Sequence, residues 1–142
     1  MKLRHVIILC IIIGLAFFMG CQDSGEITEI DGINKNVENS PAVANVQNSF
    51  SISVTAKTFN SALEYPIAFN KLSFDLALNI ENLSAGDVSI QVFNETKQML
   101  YKADFSQKIS LAQNITLEEK PTKVKFIFNS LTATFSCALT AK

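Results

Sequence analysis

The stretch Leu72–Glu81, Leu-Ser-Phe-Asp-Leu-Ala-Leu-Asn-Ile-Glu, decides the fold class. Leu72, Phe74, Leu76, Leu78 and Ile80 alternate with Ser73, Asp75, Ala77, Asn79 and Glu81. Side chains of a strand point alternately to opposite faces, so this spacing predicts a strand with one face in a core and the other in water. A helix would scatter the same residues around its axis. Upstream, Phe50, Ile52, Val54 and Ala56 alternate with Ser51, Ser53, Thr55 and Lys57. Downstream, Val88, Ile90 and Val92 make one face of a strand entered by the turn-like Ser84-Ala85-Gly86-Asp87. Met99, Tyr101, Ala103 and Phe105 make another, and the stretch around 87–94 with 99–102 reads as a hairpin. Weaker strands are expected over 108–112 and 115–118. The last two, 123–129 and 131–140, read as a second hairpin turning at Asn129-Ser130. The expectation is an all-β fold: a small antiparallel β-sandwich, immunoglobulin-like or jelly-roll, of 7–8 strands.

This alternation occupies only residues 49–142 of the 142-residue chain. The start is different. Met1 to His5 is short and basic, and Val6–Met19 is an unbroken apolar run of 14 residues. Such a run matches the core of a signal peptide and is shorter than the ~20 residues a spanning helix requires. It ends at Gly20-Cys21, and polar residues follow at once. The run Phe18-Met19-Gly20-Cys21 resembles the lipobox of bacterial lipoproteins. Gly20 and Cys21 match it, whereas Phe18 and Met19 stand where such boxes carry leucine and a small or aliphatic residue. The resemblance covers residues 1–21 and implies cleavage before Cys21, a diacylglyceryl group on its sulfur and acylation of the new amino terminus. Two or more acyl chains hold a protein stably in a bilayer where one does so only marginally. A bacterial cell-envelope location follows as an expectation, at the outer membrane or cell surface in preference to the inner membrane.

Residues 22–48 are rich in Asn, Asp, Glu, Ser and Gly, carry Pro41 and have no sustained period. They read as a polar linker, which as a random coil would span roughly 30 Å. The alternative is that Ile27, Ile30 and Ile33 form a helical turn or an extra edge strand. The expected organisation is a signal peptide over 1–20, a lipidated cysteine with linker over 21–48, and the sandwich over 49–142.

Composition narrows the chemistry. The only histidine and the only arginine, His5 and Arg4, fall in the segment to be removed, and tryptophan is absent. What remains from Cys21 onward has 10 lysines against 13 acids, a net charge of −3. It lacks the side chain that titrates near neutrality and the guanidinium that grips phosphates in a fork. With 9 lysines and 8 acids in residues 49–142, no basic footprint for nucleic acid is expected. Of three cysteines, Cys10 leaves with the signal and Cys21 becomes a thioether, so Cys137 has no disulfide partner within the chain. Cys137 shares the phase of Phe135 and Leu139 and reads as a buried small apolar residue.

Asp75, Glu81, Asp87, Glu95 and Asp104 lie at strand ends and faces. Two of them converging across a groove could act as an acid–base pair on a glycoside, or as oxygen ligands for calcium, but their spacing matches no known motif and they read as solvated surface. No catalytic residue, metal or cofactor is expected, and the chain does not read as an enzyme. Phe59, Tyr65 and Phe69 fall off the main core phase in the stretch 59–69, which reads as the longest apolar loop and the first place to look for a binding surface. The sequons at Asn82, Asn94 and Asn114 mark expected exposed turns. The function that emerges is a membrane-anchored, non-enzymatic lipoprotein with a protein-interaction or structural role. A carbohydrate- or glycan-binding module is the alternative.

Overall fold

A computed structural model describes residues 37–142. They form six antiparallel strands: β1 (Ala42–Val46), β2 (Ser49–Pro66), β3 (Ser73–Phe93), β4 (Met99–Phe105), β5 (Ile109–Thr116) and β6 (Lys123–Ala141). The apolar segment, the Gly20-Cys21 site and Ile27, Ile30 and Ile33 lie outside the described residues.

Three strands are too long for a domain of this size to hold straight. Phe50 and Tyr65 both belong to β2 and are fifteen residues apart, about 50 Å along an extended chain. Their ring centroids are nevertheless 5.3 Å apart. Phe128 and Phe135 of β6 also lie 5.3 Å apart, edge to face. Each strand therefore doubles back over itself. The hydrogen-bonded order β1-β2-β6-β3-β4, with β5 also on β3, resolves into two layers. The larger layer runs β1, β2 over 49–56, β6 over 133–141, β3 over 73–81 and β5. The smaller runs β2 over 61–66, β6 over 123–129, β3 over 87–93 and β4. This is a sandwich whose corner is made by strands that pass from one layer to the other.

The corner has a local cause. Thr58, Asn82, Gly86 and Ser130 all have positive φ, from 49° to 81°. The pairing registers of β2 and β3 slip at the same places, between Ala56 and Ser61 and between Glu81 and Asp87. Side chains then tie the three bends together. The Ser130 amide donates to Asn60 Oδ1 at 2.7 Å, and the Thr58 amide to Thr132 Oγ1 at 2.9 Å. Asn129 Nδ2 donates to Asp87 Oδ1 at 2.7 Å.

Between the layers lies one core. Phe50, Phe74, Phe126, Phe128 and Phe135 are fully or almost fully buried with the aliphatic residues of the same faces. Both flanks of the sandwich are clasped by side-chain hydrogen bonds. Asn45 Nδ2 on β1 donates to the Pro66 carbonyl at 2.7 Å, and Gln113 Nε2 on β5 to Tyr101 Oη on β4 at 3.0 Å.

The antiparallel all-β sandwich matches expectation, and several details correct it. There are six strands rather than seven or eight, because 84–87 and 129–130 are bends within β3 and β6, not turns between strands. Segments 123–129 and 131–140 are therefore halves of one strand rather than a hairpin. The two weak strands after 108 are one, Ile109–Thr116. The domain does not begin at Ser49, because Ala42–Val46 pairs with Ser49–Ser53 and so belongs to the sheet, shortening the expected linker. All five β1 residues are exposed, so no burial periodicity marked this segment.

The β3–β4 connection corrects the reading of Asn94 as an exposed turn residue: it is 5% exposed. Its Oδ1 accepts from the Gln98 amide at 2.8 Å and Thr96 Oγ1 at 2.9 Å, while Nδ2 donates to Glu119 Oε2 at 2.6 Å. Replacement by alanine leaves several polar partners unmatched. Asn94→Ala is expected to destabilise by about 1–3 kcal/mol, read as a lower urea midpoint at unchanged slope.

Candidate functional site

The strand register lays out the outer face of the five-stranded layer row by row. Ala44, Ser51, Ala138, Ala77 and Ala112 form one row across all five strands. Ala42, Ser53, Ser136, Asn79 and Ser110 form the next. No side chain in these rows is longer than asparagine, and none is charged. The face is consequently sunken, and a concavity of about 780 Å³ lies over it. Its rims are polar. On one side Asp75 accepts from Asn114 Nδ2 at 3.0 Å and meets Lys142 Nζ at 2.7 Å. These partners, Lys142 foremost, hold the Asp75 carboxyl below its usual range. On the other side Asn79 Nδ2 donates to Glu81 Oε1 at 2.8 Å.

The outer face of the four-stranded layer is unlike it. There Glu64, Lys125, Gln91 and Lys102 share a row. Lys123 Nζ meets Glu64 at 2.6 Å and Lys102 meets Asp104 at 3.0 Å. The hydrogen bond from Lys123 lowers the Glu64 carboxyl. A charged, long-chained face solvates itself, whereas a face of methyls and hydroxyls leaves its floor open to another surface.

The aromatics singled out from sequence do not form a binding loop. Residues 59–66 are the second half of β2, and the three side chains turn inward. Phe59 packs on Phe128 at 5.1 Å, Tyr65 on Phe50 at 5.3 Å, and fully buried Phe69 on Phe74 at 6.2 Å. Their off-phase spacing arose from the register slip at 56–61. The concave face escaped the sequence reading because alanine and serine in the solvent phase carry no chemical signal. Only the register places nine of them, with Asn79, side by side.

The acids Asp75, Glu81, Asp87 and Asp104 are engaged one by one with lysine or amide partners. Among the described residues no three His, Cys, Asp or Glu side chains gather as metal ligands. The serines of the floor have no histidine among the described residues to activate them.

Cys137 lies beneath this floor with its side chain in the core, 3% exposed. Burial pushes the thiol up to about 12. A raised acid pKa stabilises the fold fully below the unfolded-state value near 9 and loses that contribution as pH rises toward about 12. The wild type is therefore expected to lose stability between those pH values more steeply than Cys137→Ala, in thermal melts across that range. The native thiol is expected to ignore disulfide reagents at pH 8 until the protein unfolds.

No protein-family model and no curated protein matches the chain. Solved structures to which the chain has some similarity include a chain from Bacillus endospore appendages, described as a novel family of disulfide-linked pili. It is 14% identical over 71% of this chain and 92% of that one, with a TM-score of 0.44. VP2 of an infectious bursal disease virus subviral particle is 12% identical over 72% of this chain, with a TM-score of 0.40; this chain spans 32% of its length. A family 6 carbohydrate-binding module is 10% identical over 77% of this chain and 88% of that one, with a TM-score of 0.30.

Proposed function

We propose that the chain is a lipid-anchored envelope protein, fixed to a membrane through Cys21, whose β-sandwich has a non-catalytic protein-interaction or structural role. The observation that carries the role is the sunken, uncharged Ala/Ser face of the five-stranded layer. A surface of short side chains admits close approach by another polypeptide, with hydroxyls and Asn79 to satisfy its polar groups. The anchor rests on the basic start, the 14-residue apolar run and the Gly20-Cys21 junction. An outer-membrane or cell-surface position rests on Gln22, where, by resemblance to enterobacterial sorting, an aspartate after the lipidated cysteine would hold a lipoprotein at the inner membrane.

The second reading is a glycan-binding module. It is favoured by the row Ser53, Ser136, Asn79 and Ser110, whose hydroxyls and amide could bond sugar hydroxyls. It is disfavoured by the lack of any aromatic ring in the two floor rows on which a sugar could stack.

Intact mass spectrometry of the membrane fraction tests the anchor. The native chain is expected to begin at Cys21 and carry a lipid mass, and Cys21→Ala is expected to lose both. A native chain without lipid overturns the anchor. For the role, the anchored protein is challenged with envelope extract and with soluble oligosaccharides, alongside Ala77→Arg, which fills the floor. Capture of a protein that the variant fails to capture supports the first reading. Oligosaccharide binding lost in the variant replaces it with the second.

A further inference from the structure

Among the described residues the two layers leave four strand edges open: β1 and β5 on the larger, 61–66 of β2 and β4 on the smaller. An open edge presents unpaired backbone donors and acceptors and invites another strand unless something blunts it. Three are blunted. β1 has five residues and follows Pro41. The β2 edge starts at a register slip, carries Glu64 and ends at Pro66. β4 carries Lys102 and Asp104 and slips register near its start.

β5 has none of these devices. Its eight residues, Ile-Ser-Leu-Ala-Gln-Asn-Ile-Thr, contain no charge, proline or glycine, and they pair with β3 at every position without a bulge. Its core-side residues are also incompletely covered. Ile109, Leu111 and Ile115 are half-buried, whereas their β3 partners Ile80, Leu78 and Phe74 are at most 3% exposed. The core of the larger layer ends one strand short.

We propose that β5 pairs antiparallel with β5 of a second copy of this chain about a twofold axis through Ala112, joining the two five-stranded layers into one ten-stranded sheet. Opposed residues of an antiparallel pair share a face, so the axis must pass through a residue rather than between two. Centred on Ala112, the strand is self-complementary. Ile109 meets the partner's Ile115, Leu111 meets the partner's Gln113 and Ser110 meets the partner's Asn114. Ile109 and Ile115 cover one another on both sides of the axis, and no like charges oppose. A self-complementary patch is what a twofold interface requires. The Ala44–Ala112 row would also run on into its counterpart, doubling the length of the sunken face. The inference is independent of the anchor at Cys21.

The test uses the full-length chain purified in detergent, with Cys10 and Cys21 replaced by serine and buried Cys137 retained. In a central antiparallel pair the two Ala112 Cα atoms would lie about 4.5–5.5 Å apart, within disulfide reach. Mild oxidation of Ala112→Cys is expected to give a covalent dimer on denaturing gels. Ala44→Cys and Ala62→Cys, on the β1 and β2 edges, are expected to remain monomeric. By sedimentation the parent is expected to run as two copies, Ala112→Glu as one and Ala112→Val as two, all with the same circular dichroism spectrum, and the melting temperature is expected to rise with concentration for the two dimers but not for Ala112→Glu. A monomeric parent, absence of the Ala112→Cys dimer, or equal cross-linking at Ala44→Cys overturns the proposal. So would open-ended assemblies, which would mean head-to-tail pairing of β5 with β1.

Discussion

Gly86→Ala is expected to be among the most damaging single-methyl additions in this protein, at about 3–5 kcal/mol. Two costs coincide. Gly86 has φ +81°, a region a residue with a Cβ adopts only with strain. The added carbon would also stand 2.4 Å from the Asn129 carbonyl oxygen and 2.5 Å from the Ser130 carbonyl carbon and oxygen. Those atoms are backbone of the neighbouring bend, so no rotamer change relieves the contact. Relief requires β3 and β6 to separate at the corner, where Asn129 holds Asp87 and Ser130 holds Asn60. Urea denaturation reads the loss directly. A contrasting variant, Asn82→Gly, meets the positive φ of 53° on an exposed position and is expected to stay within about 0.5 kcal/mol of wild type. Equal effects of the two would mean that the corner tolerates separation and that Gly86 is not its constraint.

Phe126→Ala is expected to cost about 4 kcal/mol, a large share of the about 5–15 kcal/mol that stabilises a domain of this kind. Phe126 is fully buried in the smaller layer. Its ring stacks on Phe50 at 5.8 Å and meets Phe135 edge to face at 6.1 Å, and both of those lie in the larger layer. Phe128 follows at 6.4 Å in its own strand. Removing the ring opens a void where the layers touch, and backbone pairing on both sides of β6 prevents its collapse. Phe126→Leu, which keeps most of the volume, is expected to lose much less. Thermal melts and urea midpoints of the pair measure the difference. A Phe126→Ala cost under about 1 kcal/mol would mean that the layers are not held together through this ring.

How far the sequence could be read depended on the range of the interaction involved. The strands around 50–56, 72–81, 88–92, 99–105 and 131–139 were visible because a two-residue period is written in neighbouring positions. Their inward faces pack in or against the observed core, with Leu72 and Met99 the exceptions: Leu72 precedes β3 and is 50% exposed, and Met99 opens β4 and is 47% exposed. Cys137 was legible for the same reason. The bends were visible too, as Ser84-Ala85-Gly86-Asp87 and Asn129-Ser130, but their meaning was not. Turn-forming residues permit positive φ. Whether the chain then returns beside itself as a hairpin or crosses into a facing layer depends on which strands flank it. Here β6 is flanked by β2 and β3 along both halves, so it cannot pair with itself.

Local alternation of apolar and polar residues was enough to establish an all-β domain with a phenylalanine-rich interior, and the Gly20-Cys21 junction was enough to raise the lipid anchor. The three continuous strands, the two layers they share, the Ala/Ser concavity and the bare edge of β5 were settled by tertiary pairing alone. A small residue in the solvent phase is chemically silent by itself, and it becomes part of a surface only when long-range register sets it beside a residue as distant in sequence as Ala138 is from Ser51.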